Sequence, residues 1–229
     1  MQLTPSIRSA LAAGAAAVVL FTGTGTAVAA PAARPAAPVA HPVAPEARPA
    51  AEAVATAHSP YGQLRPLAEL SAERLATGDL VAAAKWGTDS PIDDPVRERE
   101  VLNAVAEQAR QQGADPAATV RVFRDQIEAN KIVQRGLHRR WDAVPGQAPT
   151  ERPDLQQLRK EINRINGALV GALAGSPHAR SAPYCAPLLT AAAAKVRHER
   201  HLDGLHTVAL ARSLRSVCAG IRPPAAPAP

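Results

Sequence analysis

Four basic side chains fall at helical spacings that direct them toward apolar stripes. Arg74 and Lys85 share one face of a segment whose stripe residues recur every three or four positions. Arg97 and Arg159 interrupt the apolar stripes of two further segments. Burying an unpaired cation costs several kcal/mol, and these stripes carry no equal number of acids. The pattern therefore predicts a pocket that binds a small polyanion.

A third segment adds two amides to this set. Spacings of 4, 3, 4, 3 and 4 place six of its residues on one face: Phe123, Ile127, Asn130, Gln134, Leu137 and Trp141. Amides can donate to an anionic ligand, although a structural role is open for each residue of the set. An Arg at a stripe edge can extend to solvent, Asn130 can bond a neighbouring helix, and Lys85 can lie at a helix end.

The elements that must position these residues are helices. Asp94-Pro95, Asp115-Pro116 and Pro153-Asp154 are typical N-terminal signals, and Gly113 and Gly175 stand where C-terminal caps belong. No period-2 run supports a sheet. We predict a single all-α domain, an elongated bundle of about six helices over 62–88, 95–112, 116–142, 154–174, 186–200 and 203–218.

Composition excludes several classes of protein. Among the 229 residues, 3% are aromatic and two are cysteine, too few for a base-stacking platform or a disulfide-dense mini-protein. The formal net charge of +6 could favour nucleic acid, but no basic run lies beside aromatics, so we expect no nucleic-acid partner.

The N-terminal segment is typical of export. A short basic start, an apolar run and an A-x-A site predict a signal peptide over residues 1–29, cleaved after Ala29, and no membrane attachment afterwards. Residues 30–58 are rich in Ala and Pro and are predicted to form a disordered linker. The domain follows over 59–220, before a Pro/Ala tail at 221–229. Export favours a disulfide between Cys185 and Cys218 over a metal or redox site.

The C-terminal histidines are a second candidate for a metal site. His198, His201 and His206 lie near Glu199, but HERH lacks the HExxH spacing of zinc proteases. A solvated basic face is the favoured interpretation, and we expect no metal and no cofactor.

Four strings carry a family resemblance. AERLATGDLVAAAKW, PIDDPVRERE, FRDQIEANKIVQ and PDLQQLRKEINRIN resemble, in order and spacing, the active-site strings of the all-helical chorismate mutases. The chain is most similar to the exported branch of that family, over roughly residues 63–218. In that branch the two cysteines form a disulfide.

The resemblance implies conversion of chorismate to prephenate by a Claisen rearrangement, without a nucleophile. It assigns Arg74 and Arg159 to the substrate carboxylates. It assigns Lys85 to the ether oxygen and an adjacent carboxylate, with Gln134 as the second donor to that oxygen. The chain would supply Arg159 to its own pocket, whereas short cytosolic relatives borrow an Arg across a dimer. A homodimer is also expected from the family.

Four further positions match less fully or contact the substrate less directly. The resemblance places Arg97 beside the substrate and lets Asp94, through its backbone, and Glu98 hold the ring hydroxyl. Asn130 would contact a carboxylate, but it replaces a Ser or Thr of some relatives. Gln134 replaces a Glu of others, which predicts that activity does not require acidic pH.

Two alternatives from other classes stay open at this point. One is isochorismate-pyruvate lyase chemistry on the same scaffold. The other is a secreted helical binding domain without catalysis.

Overall fold

The computed structural model of the chain describes residues 58–218, which lie in one compact unit. Within that range the regular structure is helical throughout, and it contains seven α-helices and one 3₁₀ turn. They are α1 (Pro60–Lys85), α2 (Pro95–Gln111), α3 (Pro116–Ala143), the turn Pro145–Gln147, α4 (Leu155–Ala174), α5 (Pro177–Ser181), α6 (Cys185–Glu199) and α7 (Gly204–Ser213). The predicted all-α, single-domain fold is confirmed. The predicted signal peptide, the predicted tail and residues 30–57 of the predicted linker fall outside the described residues.

The N-terminal signals in the sequence operate as predicted. The side chain of Asp94 accepts a hydrogen bond from the Arg97 amide at 3.0 Å, and Asp115 and Asp154 cap α3 and α4 in the same way. Each cap satisfies an otherwise unpaired N–H of a first turn. These caps fix where α2, α3 and α4 begin.

Two helix ends depart from the prediction by more than two residues, and one short helix was not predicted. Helix α1 stops at Lys85 rather than at 88, because Gly87 takes a left-handed φ of +64° that turns the chain. Helix α7 stops at Ser213, and turns continue to residue 218. The prediction also missed the short α5, although a Ser-Pro pair at Ser176 is a start signal of the kind used elsewhere.

Helix α1 lies at the centre of the packing. It contacts α3, α4, α6 and α7, and α2 lies against α3 and α4. Gly78 permits a close approach of α1 to α3, because a Cβ at this position would lie 2.9 Å from the Asn130 Oδ1 atom. Leu67 and Leu75 of α1 and Phe123 of α3 are fully buried in the core. The polar residues of α1 and α3 are therefore held against each other by a packed core.

The predicted disulfide is present. Cys185, at the start of α6, bonds Cys218 with an S–S distance of 2.07 Å and a Cα–Cα distance of 5.8 Å. Cys185 is buried. The bridge ties the end of the described chain to α6.

Replacing both cysteines with alanine is expected to lower the free energy of unfolding. The bridge closes a loop with a sequence separation of 33, and the loss of unfolded-state entropy from such a loop is worth about 3 to 4 kcal/mol. Urea unfolding of Cys185→Ala/Cys218→Ala beside the oxidised wild type measures the difference. Equal midpoints would show that the bridge contributes nothing to stability.

The interpretation of the C-terminal histidines as a solvated face is wrong for His206. Its ring nitrogens lie 2.8 Å from Asp79 Oδ1 and 2.7 Å from Asp203 Oδ1, and 15% of its side chain is exposed. The hydrogen bond to Asp79 is the largest influence and raises the pKa of His206 to about 9, against the opposing effect of burial. His198 and His201 are exposed. Residues 58–218 contain no cluster of three or more His, Cys, Asp or Glu residues that could hold a metal ion.

The His206 ion pairs are expected to make stability pH-dependent. Because the folded-state pKa is raised, their contribution is complete below about pH 6.5 and is lost as the pH rises to about 9. The unfolding free energy of wild type should therefore approach that of His206→Gln over this range. The matched control is His178→Gln, which removes an exposed histidine. A difference between wild type and His206→Gln that stays constant from acid to alkaline pH would contradict the assignment.

Candidate active site

A cavity of about 270 Å³ lies between α1, α2, α3, α4 and the loop that joins α1 to α2. All eight residues singled out in the sequence line this one cavity: Arg74, Lys85, Asp94, Arg97, Glu98, Asn130, Gln134 and Arg159. Apolar side chains such as Val81, Ile127 and Ile162 complete the wall. The structure thus brings together residues that are up to 85 positions apart in the chain.

Arg74 is a buried cation of the cavity, with 5% of its surface exposed. Its Nε donates to Asn166 Oδ1 and its Nη1 to the Gln126 carbonyl, both at 3.0 Å. Both acceptors are neutral, so these bonds fix the guanidinium without cancelling its charge. Burial lowers the pKa of Arg74 to about 10, which leaves the group protonated at neutral pH. Arg74 therefore presents a rigid positive charge to the cavity.

Lys85 is the last residue of α1 and is partly buried. Its Nζ donates to the Pro91 carbonyl at 2.7 Å, which directs the ammonium across the connecting loop. Burial lowers the pKa of Lys85, while the negative charges of Asp94, Asp93 and Glu98 oppose that effect. The neighbouring Trp86 packs edge-on against His138 and Trp141, with ring centroids 5.2 and 5.3 Å away, and this packing holds the end of α1 in place.

The two amides of α3 are both buried at the cavity wall. Asn130 Nδ2 donates to the Arg74 carbonyl at 3.1 Å, so Asn130 is anchored to α1. Gln134 Nε2 lies 3.5 Å from Asn130 Oδ1, and its Oε1 has no hydrogen-bond partner among the described residues. A contact of 3.5 Å is at the limit for a hydrogen bond, so the Gln134 amide retains its capacity to bond a ligand.

The prediction that Arg97 and Arg159 are buried, unpaired cations is wrong. The Arg97 side chain is 41% exposed and pairs with Glu100 at 2.8 Å, and Arg159 is exposed. The stripe of α4 that enters the core contains Leu158, Ile165 and Leu169 instead. Both Arg residues nevertheless line the cavity, because the cavity is open and its rim is formed by partly exposed residues.

Lys131 is a cavity residue that the sequence reasoning missed. Only 10% of its side chain is exposed, and its Nζ lies 2.8 Å from Glu98, 2.8 Å from Glu128 and 3.2 Å from Asp93. Burial lowers the pKa of Lys131, but hydrogen bonds to the three carboxylates outweigh burial and raise it above its usual range. Adjacent residues of a helix lie on different faces, so the stripe that identified Asn130 does not include Lys131.

The arrangement suits an anion with more than one charged group. Arg74 and Arg159 stand on different helices and offer planar forks that match carboxylates. Lys85 and Gln134 offer an ammonium and an amide to the same cavity. Asp94 and Glu98 make the α2 side of the cavity acidic. The site can therefore orient a dicarboxylate and place donors near its centre.

None of the described helices is both long and apolar enough to cross a membrane.

Comparisons with known proteins identify the family. The family described as Chorismate mutase type II matches residues 65–135, which include seven of the eight predicted site residues and leave out Arg159. The protein named Secreted chorismate mutase of Mycobacterium tuberculosis is 37% identical over 161 residues, covering 70% of this chain and 81% of that protein. A protein of the same name from Mycolicibacterium smegmatis is 36% identical over 155 residues, covering 68% and 86%.

A solved structure agrees with the sequence relatives. The crystal structure of chorismate mutase from Burkholderia phymatum superposes with a TM-score of 0.65 and 33% identity, covering 69% of this chain and 98% of that one. The word secreted in the names of both mycobacterial relatives confirms the expected export. Together these matches show that the chain belongs to the chorismate mutase family and is an exported member of it.

Proposed function

We propose that this chorismate mutase, an isomerase, converts chorismate to prephenate in the Arg74 cavity by electrostatic stabilisation and conformational restriction. The observation that carries the proposal is the Arg74 guanidinium, buried and bonded to two neutral oxygens. A buried positive charge without an acidic partner costs free energy unless a ligand of opposite charge pairs with it. Chorismate, a dicarboxylate, supplies the missing negative charge.

The reaction needs positioning more than reactive groups. One carbon–oxygen bond breaks while a carbon–carbon bond forms in the same molecule, so no nucleophile and no covalent intermediate are required. The substrate must be held in its compact conformer, and negative charge develops on the ether oxygen in the transition state. A rigid site reduces the free-energy cost of holding the substrate in its compact conformer. Aligned donors reduce the cost of the negative charge on the ether oxygen.

The groups closest to the reacting atoms follow from this requirement. Arg74 and Arg159 bind the two carboxylates from α1 and α4. Lys85 donates to the ether oxygen and to the adjacent carboxylate. Gln134 donates to the same oxygen from the other side, and its loosely bonded amide supports this role.

The remaining cavity residues orient the ring. Glu98 and the backbone of Asp94 hold the ring hydroxyl, and Arg97 lies beside the substrate. Asn130 contacts a carboxylate through an amide that is already anchored to the Arg74 carbonyl. No cofactor enters this mechanism.

We also propose a homodimer in which each subunit carries a complete site. All eight residues of the proposed site line a cavity within one chain, which supports independent sites. Light scattering after size exclusion measures the mass, and dilution below the dimer dissociation constant tests independence. Specific activity should not fall on dilution, and a fall would show that the site borrows a group from the partner.

The proposed export organisation comprises a signal peptide over 1–29, a linker over 30–58, the domain over 59–220 and a tail over 221–229. Intact mass and N-terminal sequencing of the secreted protein are expected to give Ala30 as the first residue. A first residue elsewhere would revise the cleavage site without affecting the catalytic proposal.

A two-substrate assay tests the activity. The purified mature protein is incubated with chorismate and, separately, with isochorismate, and products are identified by chromatography. Prephenate from chorismate is the expected result. Pyruvate and salicylate from isochorismate as the main products would favour the lyase, and no turnover of either would favour a binding domain.

A further inference from the structure

Lys131 joins three segments of the molecule at the cavity wall. Its ammonium pairs with Asp93 from the connecting loop, with Glu98 from α2 and with Glu128 one turn earlier on α3. A lysine this deeply placed that contacts three carboxylates is held in a defined position. It lies beside Asn130, on the helix that also carries Gln134.

The contact with Glu98 differs from the other two. Asp93 is also held by Arg135, at 2.7 Å to both carboxylate oxygens, and Glu128 is 42% exposed. Glu98 lines the cavity with 27% of its side chain exposed, and the Lys131 ammonium lies 2.8 Å from its Oε1 atom. Loss of Lys131 would therefore affect Glu98 more than it affects the loop.

The Lys131–Glu98 contact affects binding because the ligand is a dicarboxylate. An ionised Glu98 repels a dicarboxylate that enters the same cavity, and a neighbouring ammonium reduces that repulsion. The ammonium also engages Oε1 of Glu98, so that Oε2 is left as an acceptor in a fixed direction. A carboxylate oriented in this way can accept a hydrogen bond from a substrate hydroxyl.

We propose that Lys131 is a positioning residue, which holds the Glu98 carboxylate in place to receive the ring hydroxyl of the substrate. This inference rests on the proposed function of the cavity. Lys131 acts through Glu98 and does not touch the reacting atoms. It therefore contributes to substrate binding more than to the rate of the rearrangement.

The first test replaces the ammonium with a chain of similar length. Lys131→Met should raise KM for chorismate about tenfold, the loss expected for one hydrogen bond to a charged group, with a smaller change in kcat. Lys131→Arg should restore KM toward wild type. Lys195→Met is the matched control, because Lys195 forms an exposed pair with Glu199 and does not line the cavity. An unchanged KM in Lys131→Met would overturn the inference.

A second variant distinguishes an effect on KM that acts through Glu98 from one that acts through the connecting loop. Arg135→Met removes the two bonds of Arg135 to Asp93 and leaves the Lys131–Glu98 pair in place. We expect its KM to stay at the wild-type value. A rise equal to that of Lys131→Met would assign the effect to the loop and would overturn the role of Glu98.

A double-mutant cycle tests whether Lys131 acts through Glu98. In a Glu98→Gln background, Lys131→Met should change KM far less than it does in wild type, since the group that it positions is gone. Effects that multiply would mean that the two residues act independently, contrary to the inference. If Lys131→Met folds poorly, Lys131→Gln in the same cycle gives the same comparison with a smaller apolar surface.

The cycle also distinguishes this inference from the function on which it rests. Wild-type protein that does not convert chorismate contradicts the proposed function. Conversion by wild type together with a wild-type KM in Lys131→Met contradicts only the role of Lys131.

Discussion

Replacing Lys85 with alanine is expected to lower kcat/KM for chorismate by about 10²- to 10³-fold, the range seen when one donor to a developing oxyanion is removed. The ether oxygen gains negative charge only in the transition state, so the loss should fall mainly on kcat. Steady-state rates from chorismate absorbance measure it.

The control for Lys85→Ala is Lys195→Ala, which removes an exposed ammonium from α6. Circular dichroism establishes that both variants keep their helices. Lys85 also bonds the Pro91 carbonyl, so a change in the loop is expected to appear as a modest loss of stability. Near-wild-type turnover by Lys85→Ala would refute the electrostatic mechanism.

The second large effect is expected from Gln134→Glu. An amide donates to the ether oxygen at any pH, whereas a carboxyl group donates only when it is protonated. The variant should be about 10²-fold less active than wild type at neutral pH and should recover as the pH falls. The profile of kcat/KM against pH for both proteins measures this difference.

Gln134→Leu distinguishes the loss of the hydrogen-bond donor from the introduction of a titrating carboxyl group. It removes the donor without adding a titrating group, so its activity should be low at every pH, and its profile should run parallel to that of wild type. If Gln134→Glu also runs parallel to wild type, Gln134 does not donate to the reacting oxygen. Because position 134 carries an amide and no carboxyl group, we expect wild-type activity to need no acidic pH.

These two expectations rest on a division of roles within the cavity. Arg74 is buried and rigid, and it carries a charge that its neutral partners do not cancel. Lys85 lies at the end of α1 and Gln134 lies on α3, and both line the cavity. In the proposed mechanism, Arg74 holds the substrate, whereas Lys85 and Gln134 respond to the charge that develops during the reaction.

Much of the fold could be predicted from the sequence because its signals are local. A capping Asp followed by Pro determines a helix start through atoms within three residues, so the starts at Asp94 and Asp115 were correct. Ends were less accurate, because the left-handed turn at Gly87 had no equally clear signal. The short α5 was missed because a helix of this length has no periodicity.

The sequence predicted which residues form the candidate site, but it did not predict how buried each of them is. Periodicity establishes which residues share a face, and this was enough to collect Arg74, Lys85, Asn130 and Gln134. Periodicity does not state what lies opposite that face. Arg97 is therefore partly exposed and Arg159 is exposed at the rim of an open cavity, although both share stripes with apolar residues.

The sequence by itself determined six of the seven described helices and the set of cations and amides that match the family, because both depend on spacing along the chain. It also determined the disulfide, because two cysteines in an exported chain favour one bond between them. Only the tertiary structure decided how these charges are paired. Lys131 meets Glu98, and His206 meets Asp79, across helices that are distant in sequence. Such pairs depend on which helix faces come together, and that is a property of the packed core.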